Sequence, residues 1–178
     1  LDRFSGGSYQ PGSFGYATLL HELGHALGFA HPFESKENNN SLLIGAENTS
    51  QYSLMSNRDY EGAGNTFTAT GANSYSWHTL QPTTPMLYDL LAIQYLYGAN
   101  LTTRTGNDTY IFSNSQAELQ TIWDAGGIDT FDLSNQSTAL RVDLNDGRFS
   151  SIGIKETWGD NQGMWFPRQA TISPSPTA

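Results

Sequence analysis

The stretch His21–His31, HELGHALGFAH, constrains this chain more than any other. It holds three of the chain's 4 histidines, one acid and two glycines. A helix places His21 and His25 one turn apart on the same face, where both imidazoles reach one small cation. Glu22 follows His21 directly and so sits beside the cation, not on it. Gly28 comes where a helix can end in a left-handed residue. The chain can then reverse and bring His31 to the same ion. Three neutral nitrogens with an open fourth position describe a catalytic zinc site, not a closed structural one. Ser13 is placed to cap a helix running from about Phe14 to Leu27. Leu19, Leu20, Leu23 and Leu27 recur at helical spacing and are predicted to anchor that helix to a core.

The rest of the composition narrows the partners. The chain has 178 residues, enough for one domain or two small ones. Its formal net charge is −9 and Lys and Arg total 8, which argues against nucleic acid or an anionic membrane surface as a partner. There is no cysteine, so disulfides, thiol catalysis and thiolate-bound zinc are all excluded. No apolar run is long enough to span a bilayer. The start, LDRFSGGSYQPGSFG, lacks the pattern of a signal peptide and lacks Met, so the chain is expected to be part of a longer protein. The 18 glycines, with abundant Asn, Ser and Thr, predict many turns, short strands and few helices.

Residues 32–51 read as a polar loop with a small apolar knot at Leu42–Ile44. The segment YSLMS follows, and Met55 is the one methionine of 3 in a turn-like context. The extended zinc motif calls for a tight methionine turn beneath the metal. Residues 58–83 predict a long loop with one hairpin, and His78 within it reads as a surface or structural histidine. A second helix is predicted from Thr84 as N-cap, with Pro85 at its first position and Asp89 near its positive end. Met86, Leu90, Ile93 and Tyr97 form an apolar stripe that Leu87, Leu91 and Leu96 broaden. The helix therefore reads as largely buried, with a packing role, until Gly98 ends it. Beyond it the texture is β. GNDTYIFSN at Gly106–Asn114 and GIDTFDLSN at Gly127–Asn135 share Gly, Asp, Thr, Ser and Asn at a spacing of 21 residues. Each unit resembles half of a Gly- and Asp-rich calcium-binding repeat, in which turns expose carbonyls and Asp adds carboxylates. Strands are expected at Ala139–Leu144 and near Phe149–Ile154, with an irregular tail over 155–178.

HELGHALGFAHP followed by QYSLMS resembles the metzincin zinc endopeptidases and, among them, the serralysins. TPMLYDLLAIQYLYGAN and IWDAGGIDTFDLS strengthen the resemblance, which covers most of residues 14–154. It implies an α+β fold: a metzincin zinc helix and C-terminal subdomain over 1–98, then an all-β calcium-binding β-roll or β-sandwich segment over 99–178. It implies zinc on His21, His25 and His31, Glu22 as general base, and Met55 in the Met-turn. It further implies calcium on the carbonyls of Arg104, Gly106 and Gly126 and the carboxylates of Asp124 and Asp129, with Asp108 contributing a carbonyl or a carboxylate. The family usually places a movable tyrosine ligand where this chain has Asn57, whose amide can at most hydrogen-bond a bound water. In metzincins the substrate-aligning sheet precedes the zinc helix, and only about 13 residues precede it here. The chain is thus expected to be a fragment. Its zinc helix should expose an apolar face, and alone it should bind zinc weakly and cleave poorly. The function implied is hydrolysis of protein or peptide substrates by a secreted, extracellular bacterial protein, with no nucleic acid, membrane or obligate partner. The alternative is a non-catalytic, calcium-stabilised β module carrying a remnant protease site.

Overall fold

The computed structural model describes residues 9–35, 42–60, 65–71, 74–115, 118–152 and 170–173. These contain two helices and a few short strands. Helix α1 spans Phe14–Ala26. A single 3-10 turn at Gly45–Glu47 follows, and then an antiparallel hairpin, β1 (Asn65–Gly71) with β2 (Ser74–Thr79). Helix α2 spans Leu87–Tyr97. Five short strands complete the order: β3 (Thr109–Ile111), β4 (Gln120–Trp123), β5 (Thr130–Asp132), β6 (Phe149–Ser150) and β7 (Ala170–Ser173).

Helix α1 begins where the sequence predicts. The Ser13 hydroxyl accepts from the Tyr16 amide at 3.2 Å. Of its leucines only Leu20 packs on the core as the spacing predicts, and the others form the exposed apolar face expected of a fragment. Leu19, Leu23 and Leu27 are exposed, and the buried positions are Ala17 and Gly24, with Leu20 packed against the core. The inward face is the narrow one, with the side chains of Met55 and Phe29 close against Gly24.

Helix α2 starts three residues after Thr84, not directly after it. The Thr84 hydroxyl accepts from the Thr121 amide at 2.8 Å and is thereby drawn to β4. The first turn is capped instead by Asp89, whose carboxylate accepts from the Met86 amide at 2.8 Å. Only the N-terminal turn is sunk into the core. Leu91, Tyr95, Leu96 and Tyr97 are exposed among the described residues, so the helix is not the largely buried one that its apolar sequence suggests.

Two sheets alternate along the chain after α2. β3 pairs in parallel with β5, while β4 lies in a second sheet of order β4-β7-β6. The register Thr109↔Thr130, Tyr110↔Phe131 is the 21-residue spacing of the sequence repeat itself. The chain makes one circuit, β3 to β4 to β5, and lays each repeat beside its copy. Two expectations are corrected here. Ala139–Leu144 is not a strand but carries one bridge, Arg141↔Ser151, since the Ser150 hydroxyl bonds the Asp143 amide and carbonyl and breaks the ladder. The segment expected as an irregular tail supplies β7, which pairs with both β4 and β6. The remainder of 153–178 lies outside the described residues, as does the side chain of His78.

One core joins the two regions: Ala17, Leu54, Leu80, Met86 and Leu119, with Leu20 and Tyr60 against it. Leu119 leads into β4, and its carbonyl accepts from the Thr83 amide at 2.8 Å. A second cluster, Phe112, Ile122 and Ile152, fills the space between the sheets. Leu119 is fully buried, so Leu119→Ala should lower stability by about 2–5 kcal/mol. Denaturant melts followed through both halves should fall together; separate transitions would contradict a shared core.

Candidate metal centres

The end of α1 builds the first site. Leu27 closes the helix and Gly28 takes a φ of 95°, in the left-handed region. The Phe29 amide then donates to the Gly24 carbonyl at 3.0 Å and the Gly28 amide to the His25 carbonyl at 2.9 Å. This paired closure reverses the chain within one turn. It carries His31 back over His21 and His25.

The three imidazoles meet through their Nε2 atoms. His31 Nε2 lies 3.2 Å from His21 Nε2 and 3.1 Å from His25 Nε2. Each Nδ1 faces an oxygen: Leu54 O at 2.7 Å for His21, Phe29 O at 3.0 Å for His25, and Glu34 Oε1 at 2.8 Å for His31. A carbonyl or carboxylate oxygen only accepts, so each Nδ1 holds its hydrogen. In neutral rings the three Nε2 lone pairs therefore point at one another. A shared cation relieves that repulsion. Two nitrogens about 2.0–2.1 Å from a tetrahedral zinc are themselves about 3.3 Å apart, close to the separations present here. The residues fit a three-histidine zinc site, with each Nδ1 partner fixing a ring in the manner typical of such sites.

Met55 lies directly under the helix. It is almost fully buried, in a turn closed by the Ser56 amide donating to the Ser53 carbonyl at 3.2 Å. A Cβ on Gly24 would sit 2.5 Å from its sulfur. Gly24 is thus the residue that lets the methionine turn touch the helix backbone, a requirement that motif spacing alone does not reveal. Beside the histidines runs an open cleft of about 460 Å³, lined by His21, Glu22, Leu54, Ser56, Asn57 and Pro82 among others. Glu22 is exposed to it.

Two acids have contacts that the sequence did not show. Glu34 is one, three residues beyond His31. The other is Asp89, 4% exposed, which accepts from Ser53 Oγ at 2.7 Å and from the Leu54 amide at 2.8 Å. Burial pushes its carboxyl up from the usual range, against the hydrogen bonds that pull it down. The signal available was an acid at the third position of an otherwise apolar helix.

The second site lies in the repeat. Asp108 and Asp129 are equivalent residues of the two copies and come side by side, with the Asp108 amide donating to Asp129 Oδ1 at 2.9 Å. Asp124, just after β4, joins them: ligand atoms of the three lie within 4.8 Å of one another. Asp108 Oδ2 is buried with no hydrogen-bond partner. Its carbonyl also accepts from the Thr130 amide at 2.8 Å. Gly127 passes so close to Gly106 that a Cβ would stand 1.9 Å from the Gly106 carbonyl oxygen. Arg104 turns the chain at a φ of 50° and stacks 5.1 Å over the Tyr110 ring. The Tyr110 hydroxyl donates to Asp124, and burial together with that bond pushes its pKa up to about 12. Three crowded carboxylates and an unpartnered buried oxygen fit a hard cation such as calcium. For the carbonyls of Arg104 and Gly126 the assignment rests on the resemblance alone.

The chain is similar to known proteins. The family model described as peptidase M10 serralysin C terminal matches residues 92–158. Serralysin C of Dickeya chrysanthemi is 42% identical over 161 residues, covering 80% of this chain and 32% of that protein. Serralysin of Proteus mirabilis is 38% identical over 158 residues, 80% of this chain and 30% of that protein. Metalloprotease AprA of Pseudomonas entomophila (strain L48) is 35% identical over 158 residues, with 80% and 31% coverage. The chain therefore spans about a third of the length of the relatives it matches.

Gly24→Ala tests the contact beneath the histidines. Its methyl group must displace Met55, and such overpacking costs about 1–3 kcal/mol. An unchanged melting temperature would mean that the turn does not bear on the helix.

Proposed function

We propose that this chain, serralysin-like over 80% of its length, carries the catalytic zinc site of a secreted endopeptidase. The observation that carries the reading is the convergence of three Nε2 atoms at 3.1–3.2 Å with every Nδ1 already bonded, next to an acid on an open cleft. Zinc, when bound, makes water nucleophilic at neutral pH and polarises a peptide carbonyl. His21, His25 and His31 hold it, and their Nδ1 bonds keep the rings aimed. A carboxylate oxygen of Glu22 takes the proton of the attacking water and later passes it to the leaving amine. Met55 supports the histidines from below. Asn57 lines the same cleft as Glu22, where its amide can at most hydrogen-bond a bound water.

In this reading residues 1–98 form the C-terminal part of a metzincin catalytic domain and 99–178 begin a calcium-binding β-roll. Asp108, Asp124 and Asp129 hold calcium, with the carbonyls of Arg104, Gly106 and Gly126 completing the shell. The substrates are proteins or peptides. Export from the cell follows from the likeness to serralysins. No helix among the described residues is long and apolar enough to cross a membrane.

Zinc analysis and peptide hydrolysis test the first half. One zinc should bind per chain, weakly in the isolated chain, His25→Ala should abolish that binding, and Glu22→Gln should keep it while the low hydrolysis of the wild type falls by about 10²–10⁴. A non-catalytic module would give equal hydrolysis for Glu22→Gln and wild type. Thermal melts with and without calcium test the second half. Calcium at 100 times its Kd should add about 2.7 kcal/mol of stability, and Asp129→Asn should abolish the increment. Superimposable melts would remove the calcium assignment.

A further inference from the structure

We infer that Asp89 is a positioning residue for the three-histidine site, acting on His21 through the Leu54 peptide. The inference rests on the zinc reading above. It begins from an unexplained burial: Asp89 is 4% exposed in the first turn of α2. A carboxyl group in such a place is costly unless its oxygens are used.

All three of its contacts lead toward the histidines or fix the helix that bears it. Oδ2 accepts from the Leu54 amide at 2.8 Å and from the Met86 amide at 2.8 Å. Oδ1 accepts from Ser53 Oγ at 2.7 Å, and that hydroxyl in turn accepts from the Met55 amide at 3.0 Å. The methionine turn therefore hangs from a single side chain of α2. On the far side of the Leu54 residue its carbonyl accepts from His21 Nδ1 at 2.7 Å. The order of contacts is α2, Asp89, Leu54, His21. Asp89 to Leu54 and Leu54 to His21 are hydrogen bonds, joined through the covalent backbone of Leu54, and neither needs the ion to be present.

The consequence is geometric. With Asp89 in place the Leu54 carbonyl stays where it can capture the Nδ1 hydrogen of His21, and the Nε2 lone pair stays aimed at His31. Without it the amides of Leu54 and Met86 lose their acceptor in a buried setting, and the turn must shift to find water. His21 then loses the bond that selects its tautomer. Outer partners of metal-bound histidines typically change metal affinity by about 10–100-fold. The role needs an acceptor oxygen and not a charge. A carboxamide satisfies it, with its oxygen toward the two amides and its NH₂ toward Ser53 Oγ.

The experiment is zinc titration of metal-free protein against a competing chelator, with the ring nitrogens of ¹⁵N-histidine followed by NMR. Asp89→Ala should weaken zinc about tenfold and remove the Nδ1–H signature of His21 in the metal-free protein. Asp89→Asn should remain within about threefold of wild type and keep that signature. Ser53→Ala, which removes the Oδ1 contact and the tie to Met55 but leaves the Leu54 link, should stay within about threefold of wild type and keep the His21 signature. A folded Asp89→Ala with wild-type affinity overturns the role; where Asp89→Ala fails to fold, Asp89→Asn that loses the His21 Nδ1–H signature, or Ser53→Ala that loses it, overturns it. So does Asp89→Asn as weak as Asp89→Ala. Wild-type protein that binds no zinc defeats the zinc reading itself, a result distinct from any of these.

Discussion

Three imidazole nitrogens held lone pair to lone pair are a repulsive arrangement, and the structure around them exists to hold it. The helix closure at Gly28 turns the chain so that His31 can arrive. Leu54, Phe29 and Glu34 each occupy one Nδ1 and so leave the Nε2 atoms no choice of direction. Met55 packs under Gly24 and fixes the distance between helix and turn. None of these contacts gains from the convergence itself. They gain from hydrogen bonds and packing elsewhere, and the convergence is what they leave over for a cation.

The same logic recurs in the β region with oxygens in place of nitrogens. Parallel stacking of two copies of a 21-residue repeat brings Asp108 onto Asp129, and the end of β4 adds Asp124. Backbone pairing supplies the stability and the crowding of charge is its by-product. The two regions are tied through Leu119 and Thr121 to the segment ahead of α2. Asp89, in the first turn of that helix, reaches back to the methionine turn. The α2 N-terminus is thus the meeting point of both regions, although its sequence reads as plain apolar packing.

The zinc-binding constellation was legible because it is local. His21, His25 and Gly28 lie within three helical turns, and helix periodicity and left-handed glycine closure place them without tertiary information. The repeat was legible for a related reason: in a parallel stack the sequence period is the register. The burial of α1 was legible in part: Leu20 packs as its spacing suggests, an exposed apolar face was expected, but which leucines would form it, Leu19 and Leu23 among them, was not readable. Which face packs depends on how closely the turn at Met55 approaches, and only Gly24 permits that approach. The start of α2 was misplaced because Thr84 bonds across to β4, a partner 37 residues away. Glu34 escaped notice, and Asp89 was read only as a charge near the α2 N-terminus, for the same reason: their further roles lie in what they bond across space.

The central claim is that His21, His25 and His31 together bind one zinc ion through Nε2. Zinc K-edge X-ray absorption on the loaded protein tests it most directly. The account predicts a first shell of three imidazole nitrogens at about 2.0–2.1 Å plus a light-atom fourth ligand. A shell with fewer than two imidazoles, or one unchanged by His31→Ala, would contradict it.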